Sequence, residues 1–143
     1  MSTSFGPRIV ATFMTLGAVL ALTFSPRWIV APARSLFMRV ARGWAGPVVE
    51  PMTFLQVEST LNALLFVPLG AALALLLSRR WWILAPIIGF AISFGVEMMQ
   101  NRIPGRVPDI GDVLWNTVGA VVGAALAGLV RLVGDAMQHQ RHP

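Results

Sequence analysis

A chain of 143 residues is about one domain long, and 56% of it is hydrophobic while only 12% is charged, for a mean hydropathy of +0.71. A soluble domain carries roughly 25% charged residues, so this chain cannot cover its own surface with polar groups and reads as a membrane protein. The net charge of +5 rests on eleven arginines and no lysine. They are scattered between apolar runs and form no stripe, which argues against nucleic acid and for anionic lipid headgroups or phosphates as counter-charges. The absence of cysteine excludes disulfides, thiol catalysis and cysteine-based zinc sites.

Four runs approach the roughly 20 residues needed to cross a bilayer. They are Ile9–Phe24, Leu61–Leu77, Trp81–Met99 and Val113–Val130. The first also has the outline of a cleaved signal peptide, with Arg8 ahead of an apolar core and Ala31-Pro-Ala33 in loose imitation of a cleavage site. The proline inside that site and its distance from the core favour a retained helix. Between the first and second spans, Arg34–Trp44 is patterned: Leu36, Phe37, Val40, Ala41 and Trp44 share one helical face, and Arg34, Arg39 and Arg42 the other. Such a segment either lies along the membrane interface, with its tryptophan at headgroup level, or packs on the bundle. Gly43, Gly46, Pro47 and Pro51 then suggest a turn-rich return to the second span. The predicted fold is an all-α polytopic membrane protein: a single domain over residues 1–143, a bundle of four transmembrane helices plus a short interfacial amphipathic helix.

Chain order alone places distant residues at one depth. The first span ends, the second begins, the third ends and the fourth begins at the same membrane face. That face therefore collects Asn62, Glu97, Gln100, Asp112 and Asn116, together with the loop carrying Arg102, Arg106 and Asp109. Three of the six acidic residues lie in this stretch, and a carboxylate beside hydrocarbon is costly enough to mark a candidate functional site. Arginine counts near span ends, five on the N-terminal face and six on the site face, do not decide the orientation. The Arg79-Arg80 turn is very short and contains no acid, which favours an external site face.

Within the cluster, Ser93, Glu97 and Gln100 share a face of the third span, and Asp112, Asn116, Gly119 and Gly123 share a face of the fourth. Gly119 and Gly123 have the small-residue spacing that lets membrane helices approach closely, so the polar ends of the third and fourth spans are expected to meet. Asp109 or Asp112 stands where a helix N-cap belongs. Glu97 is expected to pair with Arg106, because Pro104-Gly105 can fold the loop back on the third span. Pro68 frees the carbonyl of Leu64 and can kink the second span to open a pocket, or can serve packing alone with Gly70. The five tryptophans near span ends suit an aromatic belt, and His139 and His142 suit a solvated tail.

Three blocks carry a resemblance: Asn62-x-x-x-Phe66-x-Pro68-x-Gly70, then Glu97-x-x-Gln100, then Arg106-x-x-Asp109-x-x-Asp112-x-x-x-Asn116-x-x-Gly119. In order and spacing, from about Leu61 to Gly123, the chain resembles the VanZ-like family of small bacterial membrane proteins. The resemblance implies a multi-pass protein of the bacterial cytoplasmic membrane, in a family whose founding member is associated with resistance to the glycopeptide antibiotic teicoplanin.

Three functions compete. In the first, a non-enzymatic envelope protein binds an anionic lipid, a polyprenyl-phosphate-linked cell-wall precursor or a glycopeptide at the cluster. Arg102 and Arg106 would hold phosphate, Glu97, Asp109 and Asp112 would orient them, and Asn62, Gln100 and Asn116 would read neutral polar groups. In the second, an intramembrane enzyme uses the three carboxylates to hold Mg²⁺ against a lipid phosphate; no histidine, cysteine or lysine lies nearby to act as nucleophile. In the third, the cluster only bridges helices. The first is favoured, with membrane lipids as partners, no nucleic acid, and no cofactor or metal expected.

Overall fold

Apolar runs dominate the helices of the computed structural model, which describes residues 5–25, 27–49, 51–100, 102 and 109–139. In chain order these form α1 (Phe5–Phe24), α2 (Arg27–Val49), α3 (Phe54–Leu76), a 3-10 turn (Trp82–Leu84) running into α4 (Ala85–Gln100), and α5 (Ile110–His139). Among the described residues there is no strand, and α1, α3, α4 and α5 are each long and apolar enough to cross a membrane.

Helix α3 begins seven residues before the predicted span. Thr53 and Gln56 form a capping box: the Thr53 hydroxyl accepts from the Gln56 backbone N–H at 3.3 Å, and Gln56 Oε1 accepts from the Thr53 N–H at 2.8 Å. Two orphan donors of the first turn are thereby satisfied, so helix starts well outside the apolar run. Asn62 consequently sits two turns into α3, about 12 Å from its start. At the other boundary, α5 runs on to His139, past the predicted end at Val130. Charged residues end an apolar run without ending a helix, provided their groups find partners. Arg131 and Asp135 both do, as described below. Pro68 lies within a continuous α3. Its neighbour Gly70 faces the backbone of Ala120 so closely that an added Cβ would be 2.6 Å from the Ala120 Cα.

The core is made of large and small residues in equal number. Phe66, Leu69, Leu73 and Val19 supply its bulk, and Ala74, Ala85, Ala124 and Ala127 its close approaches. Helices α3 and α5 form the central pair, with α4 laid mainly against α5 and α1 against α3. The outward faces carry the large apolar side chains, among them Phe13, Met14, Ile87, Phe90, Leu114, Leu126 and Leu129. This distribution suits hydrocarbon outside and small-residue packing inside.

The polar ends of α4 and α5 meet, as expected from sequence, but the atoms nearest to Gly119 and Gly123 belong to α3. A Cβ on Gly119 would lie 2.8 Å from the carbonyl carbon of Ala63, and one on Gly123 2.9 Å from that of Val67. Glycine spacing announces a close approach without naming the partner helix, and here the partner is α3, which runs parallel to α5, so that Ala63 and Val67 follow Gly119 and Gly123 in step. Gly89 of α4 meets α5 through the Ala120 side chain, 2.6 Å from where its Cβ would stand.

Helix α2 is longer than the predicted Arg34–Trp44 and includes Pro32 and Pro47. It breaks at Ala45 (φ −136°, ψ 36°), just ahead of Gly46-Pro47, where the proline ring removes a donor and crowds the preceding turn. The expected loop return is therefore largely helical. Among the described residues α2 makes no substantial contact with the bundle. Its Leu36 and Val40 are exposed, and Trp44 is 92% exposed. The side chains of Trp28 and Arg34 lie outside the described residues.

Candidate functional site

On α4 the buried positions Ala85, Gly89, Ser93, Val96, Glu97 and Gln100 form one stripe, small at one end and polar at the other. The polar end faces the start of α5 and the end of α1. Asp109 opens α5: its Oδ1 accepts from the Gly111 N–H at 2.7 Å and its carbonyl from the Asp112 N–H at 3.0 Å, as an N-cap aspartate does. Asp109, rather than Asp112, is thus the cap, which leaves the Asp112 carboxylate free to turn toward α3.

Each polar side chain of the cluster then ties two elements together. Asn62 of α3 donates to Asp112 Oδ1 of α5 at 2.7 Å. Glu97 of α4, only 6% exposed, accepts from the Asp109 backbone N–H at 3.1 Å. Gln100 of α4 donates to the Thr23 carbonyl at the end of α1, at 3.1 Å. Asn116 of α5 donates to Ser93 Oγ of α4 at 2.8 Å. Residues 12 to 77 positions apart are thereby gathered at one face, as span order predicted.

Arg102 is exposed on the turn after α4, its N–H bonded to the Met99 carbonyl at 3.1 Å. Arg106 and its expected pairing with Glu97, together with Pro104-Gly105, lie outside the described residues. The three carboxylates do not form one ligand set: Asp112 turns to Asn62, Glu97 to the backbone of Asp109, and Asp109 is exposed. Among the described residues no three acidic or histidine side chains form a metal-holding group.

One atom of the cluster stands apart. Asn116 is 6% exposed, and among the described residues its Oδ1 has no hydrogen-bond partner. Turning the amide over would only exchange the orphan, because Ser93 offers a hydroxyl able to donate or accept. Either way one polar atom of a buried amide is unmatched, at a cost of about 1–3 kcal/mol. It lies one helical turn deeper than Asp112.

The opposite face holds pairings with no counterpart in the sequence pattern. Arg79 forms a bidentate ion pair with Asp135, so the Arg79-Arg80 turn does have an acid beside it, supplied by the end of α5. Hydrogen bonding to Asp135, and then its charge, hold the Arg79 guanidinium above its ordinary pKa. Arg131 donates to the carbonyls of Leu75 and Leu77 at 2.9 and 3.2 Å, and Arg8 donates to that of Leu75 at 3.4 Å. Both guanidinia thus cap the last turn of α3, where carbonyls lack intrahelical partners. The only sequence signal was the two cations at span ends; their acceptors are backbone atoms with no signature.

The model of the VanZ/LLP1 family matches residues 29–131, well over half of the chain. No curated protein and no solved structure matches it. The matched stretch contains α3, α4 and the start of α5 with the whole polar cluster, and on that match this multi-pass membrane protein belongs to the VanZ/LLP1 family.

Proposed function

We propose that the protein is a non-enzymatic component of the bacterial envelope that binds the head of an anionic lipid or lipid-linked cell-wall precursor at the polar face of α3, α4 and α5. The observation that carries this reading is the buried Asn116 Oδ1, which has no hydrogen-bond partner among the described residues. Buried polar atoms are almost always paired, and one that is not calls for a missing partner. A hydroxyl or amide of a headgroup would supply it, while Arg102 and Arg106 attract the anionic part. On this reading the polar face is external and the Arg79-Arg80 turn cytoplasmic, since the positive-inside rule counts arginines and gives acids such as Asp135 little weight. Any contribution to teicoplanin-type resistance would act through this binding.

A second reading, a purely helix-bridging network, is favoured by the way Asn62, Gln100 and Asn116 each bond to another helix. The metal-dependent enzyme is less well supported, because the carboxylates are turned to separate partners. Mass spectrometry of lipids retained by the purified protein separates the first two. Wild type should retain a lipid that is lost from Arg106→Ala and Asn116→Leu while both stay folded. Folded variants that keep the same lipid would overturn the binding reading, and variants that lose thermal stability but no lipid would establish the bridging one.

A further inference from the structure

A cleft of about 480 Å³ opens on the face opposite the polar cluster, between α5 and the Trp82 ring. Its walls are apolar: Trp82, Gly128, Leu129 and Leu132. Gly128 keeps it open, since the Trp82 ring would be 3.7 Å from an added Cβ and a larger side chain would fill the space. At one end stand Arg79, Arg131 and Asp135.

Three features define what fits. The first is length. The lining runs from Ala125 to Asp135, about 15 Å along α5, which is half of a hydrocarbon core about 30 Å thick. The cleft therefore spans one leaflet and has the depth of one lipid chain. The second is charge. Arg8 and Arg131 share the Leu75 carbonyl oxygen as acceptor, and Arg79 joins Arg131 in the cleft lining. Of the described acidic side chains only Asp135 lines this end, so the local balance is positive even after the Arg79–Asp135 pair is counted. The third is exposure. Leu129 and Leu132 are exposed in the isolated chain, so the cleft opens sideways toward lipid.

We infer that this cleft is a binding site for one anionic phospholipid of the leaflet on the Arg79-Arg80 side, its chain lying against Trp82 and Gly128 and its phosphate held by Arg131 and Arg79. The site is separate from the polar cluster and does not depend on its role. The phosphate competes with Asp135 for the Arg79 guanidinium, so neutralising that carboxylate strengthens the site, whereas neutralising an arginine weakens it.

The experiment uses the full chain in phosphatidylcholine vesicles containing phosphatidylglycerol as a minor component, followed by detergent extraction and counting of retained lipids by native mass spectrometry. Wild type retains phosphatidylglycerol in preference to phosphatidylcholine. Arg131→Gln lowers that preference about fivefold, the effect of one arginine at a membrane surface. Gly128→Leu removes it by filling the cleft with the charges intact. Asp135→Asn raises it by a similar factor, a gain that misfolding cannot produce. In a variant keeping Trp82 as its sole tryptophan, phosphatidylglycerol brominated on its chains quenches fluorescence more than brominated phosphatidylcholine at equal content. Excess inorganic phosphate leaves retention unchanged if the chain is part of the ligand. Equal retention of the two lipids by wild type would overturn the inference, as would Gly128→Leu and Asp135→Asn both behaving as wild type. So would a preference abolished only by Arg106→Ala, which would belong to the opposite face, or one displaced by free phosphate.

Discussion

Replacing Gly119 by alanine tests the packing that sets the site's geometry. The new Cβ would stand 2.8 Å from the Ala63 carbonyl carbon and closer still to its oxygen. Carbon atoms rest about 3.5–4.0 Å apart, so the two helices must part by about 1 Å. Neither obstacle is a side chain that can rotate away. A gap of 0.5–1 Å forfeits about a quarter to a half of each contact's attraction, and overpacking typically costs about 1–3 kcal/mol; a backbone obstacle puts Gly119→Ala at the upper end. Asn62 adjoins Ala63, and its 2.7 Å bond to Asp112 would stretch beyond hydrogen-bonding range, adding about 0.5–1.5 kcal/mol. Gly123→Ala meets the Val67 carbonyl and should behave alike. Gly95, with nothing within 4 Å of its Cβ position, is the control: alanine there should be neutral or gain up to about 1 kcal/mol of helix propensity. Reversible unfolding of detergent-solubilised protein with increasing dodecyl sulfate measures the differences. If Gly119→Ala and Gly123→Ala prove as stable as Gly95→Ala, the glycine contact does not hold α3 to α5.

Three further outcomes follow from particular contacts. Asn62→Leu and Asp112→Leu should each destabilise the bundle, while the double variant loses less than the sum of the two, as a double-mutant cycle by the same unfolding titration would show. Arg79→Gln should leave the melting temperature near that of wild type, because the side chains of the Arg79–Asp135 pair are 63% and 42% exposed and water and salt screen them. Val40→Glu on α2 should not affect bundle stability, since among the described residues α2 makes no substantial contact with it, but should speed amide exchange within α2 in lipid nanodiscs by lifting its apolar face from the interface.

The four spans and their order were legible because hydrocarbon imposes a length and a composition that few other structures share. The convergence of Asn62, Glu97, Gln100, Asp112 and Asn116 on one face followed from span order alone. Their pairings did not. Gln100 and Glu97 choose backbone partners at Thr23 and Asp109, which any sequence would offer equally. The early start of α3 was legible in Thr53-x-x-Gln56, a capping-box signature that stands ahead of the apolar run. The late end of α5 was not, because Arg131 and Asp135 are kept helical by groups on another element, the Leu75 and Leu77 carbonyls and Arg79.

That arrangement also explains how a bundle with so small a core keeps its register. Between membrane helices no hydrophobic force selects one alignment, since lipid tails are as apolar as leucine. Gly119 against Ala63, Gly123 against Val67 and Gly70 against Ala120 set how close α3 and α5 come, and a slip of one turn would bring Ala127 or Trp115 into a glycine position. The polar ties at the two ends oppose such a slip as well. A slip of about 5.4 Å would separate Asn62 from Asp112 at one face and Arg131 from the Leu75 and Leu77 carbonyls at the other, leaving polar groups unpaired at both ends. Glycines therefore fix the distance, and glycines and terminal polar pairs together fix the alignment. A change on either helix that shifts the register should disturb the polar face and the arginine end together, although the two lie at opposite faces of the membrane.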